Sequence, residues 1–175
     1  FVILYPIFAF LLASRKHYGA AFKLKRLVAL ISIRLSGLRI EVNKEVDLSL
    51  NKAVIICPNH TSYLDIALIY CLFPNYFVFV GKHQLRKVPL LGIFFKDQDI
   101  AIDRGSKLHS HRAFVRAGED LDRGCSVAMF PEGTISTNAP ELRPFKNGPF
   151  KLAIEKQVPI LPITFVNNFR LFPVK

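Results

Sequence analysis

The sequence predicts an α/β domain with a mainly parallel central sheet flanked by helices, preceded by an N-terminal membrane-associated helical segment. From Ala53 onward, short β-branched or aromatic runs alternate with longer mixed segments, which is typical of strands that alternate with helices. The residues before that point are first apolar and then basic. The 175 residues suffice for one hydrophobic core. We therefore expect membrane-anchoring helices at residues 1–40 and an α/β domain at residues 41–175.

The first thirteen residues form an almost uninterrupted apolar run. As a helix that rises about 1.5 Å per residue, the run would cover roughly 20 Å. This is less than the hydrocarbon core of a bilayer, which is about 30 Å thick. The run is therefore interpreted as part of a longer spanning helix or as a helix that enters one leaflet. A buried core helix is the alternative.

A basic segment follows, with seven Lys or Arg residues and no acidic residue between positions 15 and 39. On a helix, Lys23, Arg26 and Arg34 would share an arc of about 80°, and Ile31 would lie outside it. This predicts a basic amphipathic helix in the plane of the lipid headgroups, attracted to anionic lipid by about 1 kcal/mol per charge. An ordinary surface helix that happens to be basic is the alternative.

The remaining pattern predicts five strands and four helices. The strands are expected at residues 53–57, 76–80, 99–102, 126–130 and 160–166. The helices are expected at residues 62–72, 82–95, 107–122 and 149–157. In parallel sheets, ligands bind beyond the carboxyl ends of the strands, and three of these strands are followed by PNHTS, DRG and PEGT. These three segments are therefore candidates for one site.

The charge balance indicates a polyanionic partner. Twenty-four Lys and Arg residues oppose thirteen Asp and Glu residues, which gives a net charge of +11. The chain is also 51% apolar and contains sixteen Phe residues, most of them in apolar runs. A nucleic-acid-binding protein would instead place aromatic residues beside basic ones on an exposed platform. We therefore expect an anionic membrane surface as the partner and no nucleic acid.

No metal or disulfide is expected. The three cysteines are far apart and form no C-x-x-C pair, so neither a disulfide framework nor a zinc site is indicated. His109 and His111 would point about 200° apart on a helix, which argues against a metal site between them.

The segment Asn59-His60-Thr61-Ser62-Tyr63-Leu64-Asp65 places a histidine and a carboxylate five residues apart. On a continuous helix this step turns by about 140°, so the two side chains could not meet. Ser62 to Asp65 matches a capping box, which predicts that the helix starts at Ser62 and leaves His60 on the preceding loop. Asp65 would then accept the Nδ1 proton and leave Nε2 as a base. A loop histidine near a helix-capping aspartate is the alternative.

A nucleophile is expected to come with the substrate, because no G-x-S-x-G elbow surrounds any serine. Residues 131–134 are expected to turn sharply, and Glu132 can bind a substrate hydroxyl there or organise basic neighbours; a simple β-turn is the alternative. Lys82, Arg104 and Lys146 follow strands or precede a glycine, and each alone would be an ordinary surface residue. Together they would form a phosphate clamp.

Four sequence blocks occur in an order that resembles a known family. They are NHTSYLD at 59–65, the segment from GKHQLRK to AIDR at 81–104, FPEGT at 130–134 and VPILPITF at 158–165. With these blocks, about residues 53–166 resemble the lysophosphatidic acid acyltransferases (1-acyl-sn-glycerol-3-phosphate acyltransferases) of the glycerolipid acyltransferase superfamily.

The resemblance implies roles for eight residues. The general base and its orienting partner would be His60 and Asp65. The acceptor site would include Glu132, Gly133 and Thr134. The ligands of the acceptor's phosphate would be Lys82, Arg104 and Lys146. Members of the family commonly carry an arginine after the threonine of FPEGT, whereas this chain has Ile135. Either Arg104 and Lys146 compensate, or the acceptor carries a different headgroup.

The reaction implied by the resemblance moves a fatty acyl group from a thioester to the free hydroxyl of 1-acyl-glycerol 3-phosphate, which gives phosphatidic acid. Acyl-CoA or acyl carrier protein would be the donor, and no cofactor or metal is implied. The lipid acceptor places the expected protein at the cytoplasmic face of a membrane. Another acceptor, glycerol 3-phosphate or a different lysolipid, is one alternative. A non-catalytic module that binds lipid or CoA is the other.

Overall fold

The structure is a computed structural model that describes residues 2–45 and 52–173. Its helices are α1 (Tyr5–Leu12), α2 (Tyr18–Leu35), α3 (Leu64–Leu72), α4 (Phe94–Asp97), α5 (Lys107–Asp122), α6 (Gly148–Lys156) and α7 (Asn168–Leu171). Its strands are β1 (Ile55–Pro58), β2 (Phe77–Lys82), β3 (Ile100–Ile102), β4 (Ser126–Ala128) and β5 (Ile160–Ile163). Short 3₁₀ helices occupy Val2–Leu4, Arg15–His17 and His83–Lys87.

The five strands form one sheet in the order β3-β2-β4-β1-β5, and all of their pairings are parallel. β1 lies inside the sheet between β4 and β5, and all four of its residues are buried. A parallel strand that is covered on both faces reads as a continuous apolar run, as Ala53 to Cys57 does. The predicted α/β fold with a parallel sheet is confirmed.

Helices cover both faces of the sheet. On one face, Ile56 and Phe77 pack with Phe22 of α2 and with residues of α3. On the other face, Ile55 packs with Leu152 of α6 and with residues of α5. Successive residues of β1 thus enter two different cores, because side chains alternate across a strand. The sheet is therefore held between two helical layers, and the loops at its carboxyl ends are supported from both sides.

Helix α2 is attached to the domain by a buried ion pair. The Lys25 ammonium lies 3.0 Å from the Asp99 carboxylate, and both side chains are almost fully buried. The same ammonium lies over the rings of Tyr70 and Phe94. Burial lowers the pKa of Lys25, and the Asp99 carboxylate opposes that shift. The pair joins the N-terminal helices to the start of β3.

The predicted amphipathic helix is present as α2, but its basic residues do not share one environment. Lys25 is buried, Arg26 is half-buried, and Lys23 and Arg34 are exposed. Leu27 is exposed beside them, so the outer side of α2 is both basic and apolar. Across residues 2–45 and 52–173, none of the helices is both long enough and apolar enough to cross a membrane. The division of the chain at residue 40 stays a prediction.

The predicted helix at 82–95 is wrong. Lys82 is instead the last residue of β2, a 3₁₀ helix follows, and α4 begins at Phe94. Pro89 disfavours a helical conformation in the residue before it, and Leu90 has a positive φ of 65°. Gly92 lies so close to the preceding turn that a Cβ would be 2.2 Å from the Arg86 carbonyl oxygen. Helical periodicity in this segment was therefore overridden by turn residues.

Several predicted boundaries also shift by a few residues. Helix α3 begins at Leu64 and not at Ser62. Strands β4 and β5 end at Ala128 and Ile163, before the predicted ends at 130 and 166. The residues beyond these strand ends belong to the loops that form the candidate site.

Candidate active site

The loop between β1 and α3, residues 59–63, brings His60 and Asp65 together. The His60 Nδ1 atom lies 3.0 Å from the Asp65 Oδ2 atom. The Asp65 side chain is fully buried, and His60 is 8% exposed. Asp65 Oδ2 also accepts hydrogen bonds from the backbone N–H groups of Thr61 (2.7 Å) and Ser62 (2.9 Å). The predicted contact across the bend from strand to helix is present.

The cap of helix α3 differs from the predicted one. Ser62 Oγ accepts a hydrogen bond from the Leu64 N–H, while the Asp65 carboxylate accepts one from the Ser62 N–H. The second bond is the backward half of a capping box. Asp65 Oδ2 therefore binds both the backbone of the loop and the imidazole of His60.

The imidazole of His60 is fixed from a second side by Phe130. The two rings are stacked with centroids 3.7 Å apart and an angle of 16° between their planes. Since an ionised carboxylate can only accept, Nδ1 carries the proton toward Asp65. Nε2 is then the unprotonated nitrogen, and it can take a proton from a bound hydroxyl.

Glu132 holds the backbone of His60. Its Oε1 atom accepts the His60 N–H at 2.7 Å, and its Oε2 atom accepts the Arg143 N–H at 3.0 Å. The Ser136 N–H donates to the His60 carbonyl oxygen at 2.8 Å. Glu132 is 2% exposed, and each of its carboxylate oxygens accepts a hydrogen bond from the backbone. The predicted contact of Glu132 with a substrate hydroxyl stays a prediction.

Arg104 and Gly133 meet at the carboxyl edge of the sheet. The guanidinium donates a hydrogen bond to the Gly133 carbonyl oxygen. Gly133 has a positive φ of 79°, and a Cβ there would lie 2.7 Å from the Arg104 Nη1 atom. Burial lowers the pKa of Arg104, which nevertheless keeps its positive charge. The DRG and PEGT segments therefore form one structure, as the sequence predicts.

A cavity of about 210 Å³ lies at this edge. Arg104, Gly133 and Lys146 line it together with apolar side chains that include Phe130. The Lys146 N–H donates to the Pro131 carbonyl oxygen at 2.8 Å, which ties its segment to the turn. The cavity thus places two cations beside the ring that stacks on His60.

Two other predicted ligands lie nearby but do not line this cavity. Lys82 is exposed at the end of β2, where it pairs in register with Ile102 of β3, two residues before Arg104. Thr134 is exposed and follows Gly133 directly. Their contacts with a phosphate or an acceptor stay predictions.

A larger cavity of about 610 Å³ lies at the amino ends of the strands, where Tyr76, Gln98 and Ser126 line it. It is on the opposite edge of the sheet from His60. In parallel sheets ligands bind beyond the carboxyl ends, so the smaller cavity marks the candidate site.

Cys57, three residues before His60, does not supply a thiol nucleophile. Cys57 lies in β1 and is buried, and burial raises the pKa of its thiol to about 12. Such a thiol carries almost no thiolate at neutral pH. This agrees with the expectation that the attacking group comes with the substrate.

Three residues near the His60–Asp65 pair were not predicted from the sequence. Phe130 stacks on the imidazole, although its apolar neighbours suggested a strand residue. Asn59 binds the backbone of Phe165 through both ends of its amide. Asn168 donates to Asp65 at 2.6 Å from 103 residues further along the chain. Of these three residues, only Asn59 had a signal in the sequence, because it is a polar residue shortly after a predicted strand.

The fold and the site define a class of protein: an α/β domain with a buried histidine–aspartate pair and a cation-lined cavity at the carboxyl ends of a parallel sheet. The chain belongs to the Acyltransferase family, whose model matches residues 39–166.

Individual relatives are similar over most of this chain. An uncharacterized acyltransferase of Schizosaccharomyces pombe is 34% identical over 172 residues, which are 96% of this chain and 57% of the relative. The 1-acyl-sn-glycerol-3-phosphate acyltransferase of Escherichia coli is 32% identical over 131 residues, which are 74% of this chain and 53% of the relative. The chain therefore spans little more than half the length of these relatives.

A solved structure has the same fold. The crystal structure of the 1-acyl-sn-glycerophosphate acyltransferase PlsC from Thermotoga maritima matches with a TM-score of 0.68 and 25% sequence identity. The match covers 84% of this chain and 58% of that chain.

Proposed function

We propose that this protein transfers a fatty acyl group from an acyl thioester to the free hydroxyl of 1-acyl-glycerol 3-phosphate and so produces phosphatidic acid. The observation that carries the proposal is the 3.0 Å contact between His60 Nδ1 and Asp65 Oδ2. The imidazole stacks on Phe130, which lines a cavity together with Arg104 and Lys146. The relative from Escherichia coli, which carries the name of this activity, supports the choice of acceptor.

His60 is the general base of the proposed reaction. Its Nε2 atom removes the proton from the acceptor hydroxyl as that oxygen attacks the thioester carbonyl. A C–O bond forms, the C–S bond breaks, and the leaving thiolate takes the proton from the imidazolium. Asp65 orients the imidazole and stabilises its charged form. A positioned base contributes about 10² to 10⁴ in rate, and the reaction as written uses no cofactor.

The cations hold the phosphate of the acceptor. Arg104 can bind it through two parallel N–H groups and Lys146 as a point charge, and both line the cavity. Lys82 approaches from the end of β2, and Gly133 and Thr134 shape the turn. Glu132 supports this acceptor site by accepting the backbone N–H groups of His60 and Arg143.

The identity of the acceptor is the part of the proposal that Ile135 affects. Ile135 is half-buried where the family commonly has an arginine, so one phosphate ligand is absent at that position. Arg104 and Lys146 supply two positive charges without it. Glycerol 3-phosphate and other lysolipids are the competing acceptors, since each presents a free hydroxyl.

We propose that the N-terminal helices attach the protein to an anionic membrane surface, on the cytoplasmic face where acyl-CoA or acyl carrier protein is available. Helix α1 and the preceding turn expose Ile3 (89%), Ile7 and Phe10. Helix α2 exposes Leu27 next to Lys23. Apolar side chains flanked by cations are typical of helices that lie in the interface. A lipid acceptor can then enter the site without leaving the bilayer.

The test is an acyl-transfer assay with purified protein, labelled acyl-CoA or acyl carrier protein, and a panel containing 1-acyl-glycerol 3-phosphate, glycerol 3-phosphate and other lysolipids. We expect thioester consumption with 1-acyl-glycerol 3-phosphate, and a loss of about 10² or more in kcat for His60→Ala. Turnover retained in His60→Ala removes His60 from the mechanism. If the unchanged protein binds lipid or CoA but consumes no thioester, it is a non-catalytic module.

A further inference from the structure

Asp65 has a hydrogen-bond donor from the far end of the described chain. The Asn168 Nδ2 atom lies 2.6 Å from Asp65 Oδ1. The other oxygen, Oδ2, already accepts the bonds from His60, Thr61 and Ser62. Asn168 is thus the partner that holds the second oxygen of the carboxylate.

The direction of this bond is fixed by chemistry. An ionised carboxylate is an acceptor on both oxygens, so the amide must present its NH₂ group to Asp65. Asn168 is 4% exposed and Asp65 is fully buried, so water has little access to replace the bond. A hydrogen bond to a buried charge is stronger than one between neutral groups.

The segment that carries Asn168, residues 164–172, is fastened to the β1–α3 loop at two further places. Asn59 binds both the N–H and the carbonyl oxygen of Phe165, at 2.7 and 3.1 Å. Ser62 Oγ donates to the Phe172 carbonyl oxygen at 2.7 Å. Asn168 lies between these two ties, so its amide is positioned by the backbone on both sides.

We infer that Asn168 is a positioning residue of the reaction, which extends the His60–Asp65 pair to a chain of three side chains. By holding Oδ1, Asn168 prevents the carboxylate from turning, and Oδ2 stays directed at His60 Nδ1. The imidazole then keeps the orientation in which Nε2 faces the acceptor. This inference rests on the proposed function for its kinetic consequence, but the hydrogen-bond chain can also be observed without turnover.

The kinetic test compares Asn168→Asp and Asn168→Ala with the unchanged protein. Asn168→Asp has the same size but replaces the donor by a second carboxylate facing Asp65, whereas Asn168→Ala removes the donor without adding charge. We expect kcat to fall by about 10- to 100-fold in both variants, with KM for the acceptor unchanged within about 2-fold. Asn167→Asp is the matched control, because Asn167 is exposed and adjacent, and it should keep the original kcat.

An unchanged kcat in both Asn168 variants, with the unchanged protein active, would overturn the inference. A loss in kcat that occurs in Asn168→Asp but not in Asn168→Ala, and that Asn167→Asp shows equally, would do the same, since added charge in the segment would then be the cause. Unfolding midpoints of all variants identify any that fold poorly, and Asn168→Ala decides if Asn168→Asp does not fold.

A second measurement needs no substrate. Proton NMR of the full chain in detergent should show a slowly exchanging, downfield His60 Nδ1 proton, identified by its loss in His60→Gln. We expect its exchange with water to become about 10-fold faster in Asn168→Ala and to stay the same in Asn167→Asp. If the protein is inactive with every acceptor, the proposed function fails and this resonance alone decides on Asn168. An identical exchange rate in Asn168→Ala would refute the inference.

Discussion

At the residue scale, Glu132 holds the backbone of two segments of the candidate site. Its two oxygens accept the N–H groups of His60 and Arg143. Glu132→Gln should leave one of these donors facing an NH₂ group, because an amide has one acceptor oxygen where the carboxylate has two. We expect a loss of about 1–3 kcal/mol in the free energy of unfolding and a lower kcat.

Urea denaturation and acyl-transfer kinetics measure the two effects. Glu141→Gln removes the same charge from an exposed position and should change neither. A Glu132→Gln protein that raises KM for the acceptor while its stability is unchanged would show that Glu132 contacts substrate, as the motif alone predicts.

Gly133 carries a second prediction at this scale. Gly133→Ala forces an L side chain into a positive φ and places its Cβ 2.7 Å from the Arg104 guanidinium. Gly124 has nearly the same φ, 81°, with nothing within 4 Å of a Cβ. Both alanine variants should therefore lose about 1 kcal/mol of stability through backbone strain.

Only Gly133→Ala should also raise KM for the phosphate-bearing acceptor, because Arg104 must move. Steady-state kinetics of both variants separate the displacement of Arg104 from strain. Equal KM values in Gly133→Ala and Gly124→Ala would show that Arg104 does not bind the acceptor.

What could be predicted for single residues depended on sequence distance. His60 and Asp65 are five positions apart, so the capping pattern was enough to place them face to face. Arg104 and Gly133 were predicted to meet because both follow strand ends of one sheet. Phe130 and Asn168 act through contacts across the fold, and local pattern contains no information on which side chain will lie against the imidazole.

At the scale of elements, a buried ion pair contributes to the attachment of α2, whose Phe22 and Ile33 also pack in the core. Lys25→Met removes the ammonium and leaves the Asp99 carboxylate buried without its cation. We expect the free energy of unfolding to fall by about 3–5 kcal/mol, because breaking one half of a buried pair leaves an uncompensated charge.

Lys23→Met on the exposed side of the same helix is the control, and it should change stability by less than about 0.5 kcal/mol. Denaturant unfolding of both variants is the measurement. Equal stability of the two would mean that Asp99 is satisfied without Lys25, for example by its bond from the Phe79 N–H.

Elements were predicted well where periodicity and length agreed. Helix α5 was expected at 107–122 and has those bounds, since a Ser106 cap and an amphipathic run define it. The prediction of a helix at 82–95 was wrong, because the apolar spacing there resembles that of a helix whereas Pro89 and Gly92 require turns. The strands were placed correctly, but their ends were not, because apolar residues that follow β4 and β5, such as Phe130 and Phe165, continue the strand pattern in sequence.

At the scale of the whole molecule, the proposed attachment to a bilayer depends on the exposed apolar residues of α1 and α2. Phe10→Glu in α1 should reduce binding to anionic vesicles by about 10- to 100-fold, since it removes a ring that would otherwise enter the lipid. Val115→Glu makes the same kind of change on the exposed side of α5 and should have no effect.

Sedimentation with phosphatidylglycerol vesicles measures this binding. Point substitutions are more informative here than deletion of residues 1–38, because Phe22 and Ile33 of α2 are part of the core over the sheet. Equal sedimentation of both variants and the unchanged protein would argue against α1 as the lipid-binding element.

The hydrogen bonds around the β1–α3 loop join positions 59–65 to positions 132–172, and this spacing has a consequence for biosynthesis. A ribosome delivers α1 and α2 first, whereas Asn168 and Phe172 emerge more than one hundred residues later. Under the proposed function, a nascent chain would bind lipid through α1 and α2 while its His60–Asp65 pair still lacks the segment that carries Asn168. The proposed attachment to the bilayer would then precede assembly of the proposed catalytic centre, so an unfinished polypeptide would bind lipid before it could consume a thioester.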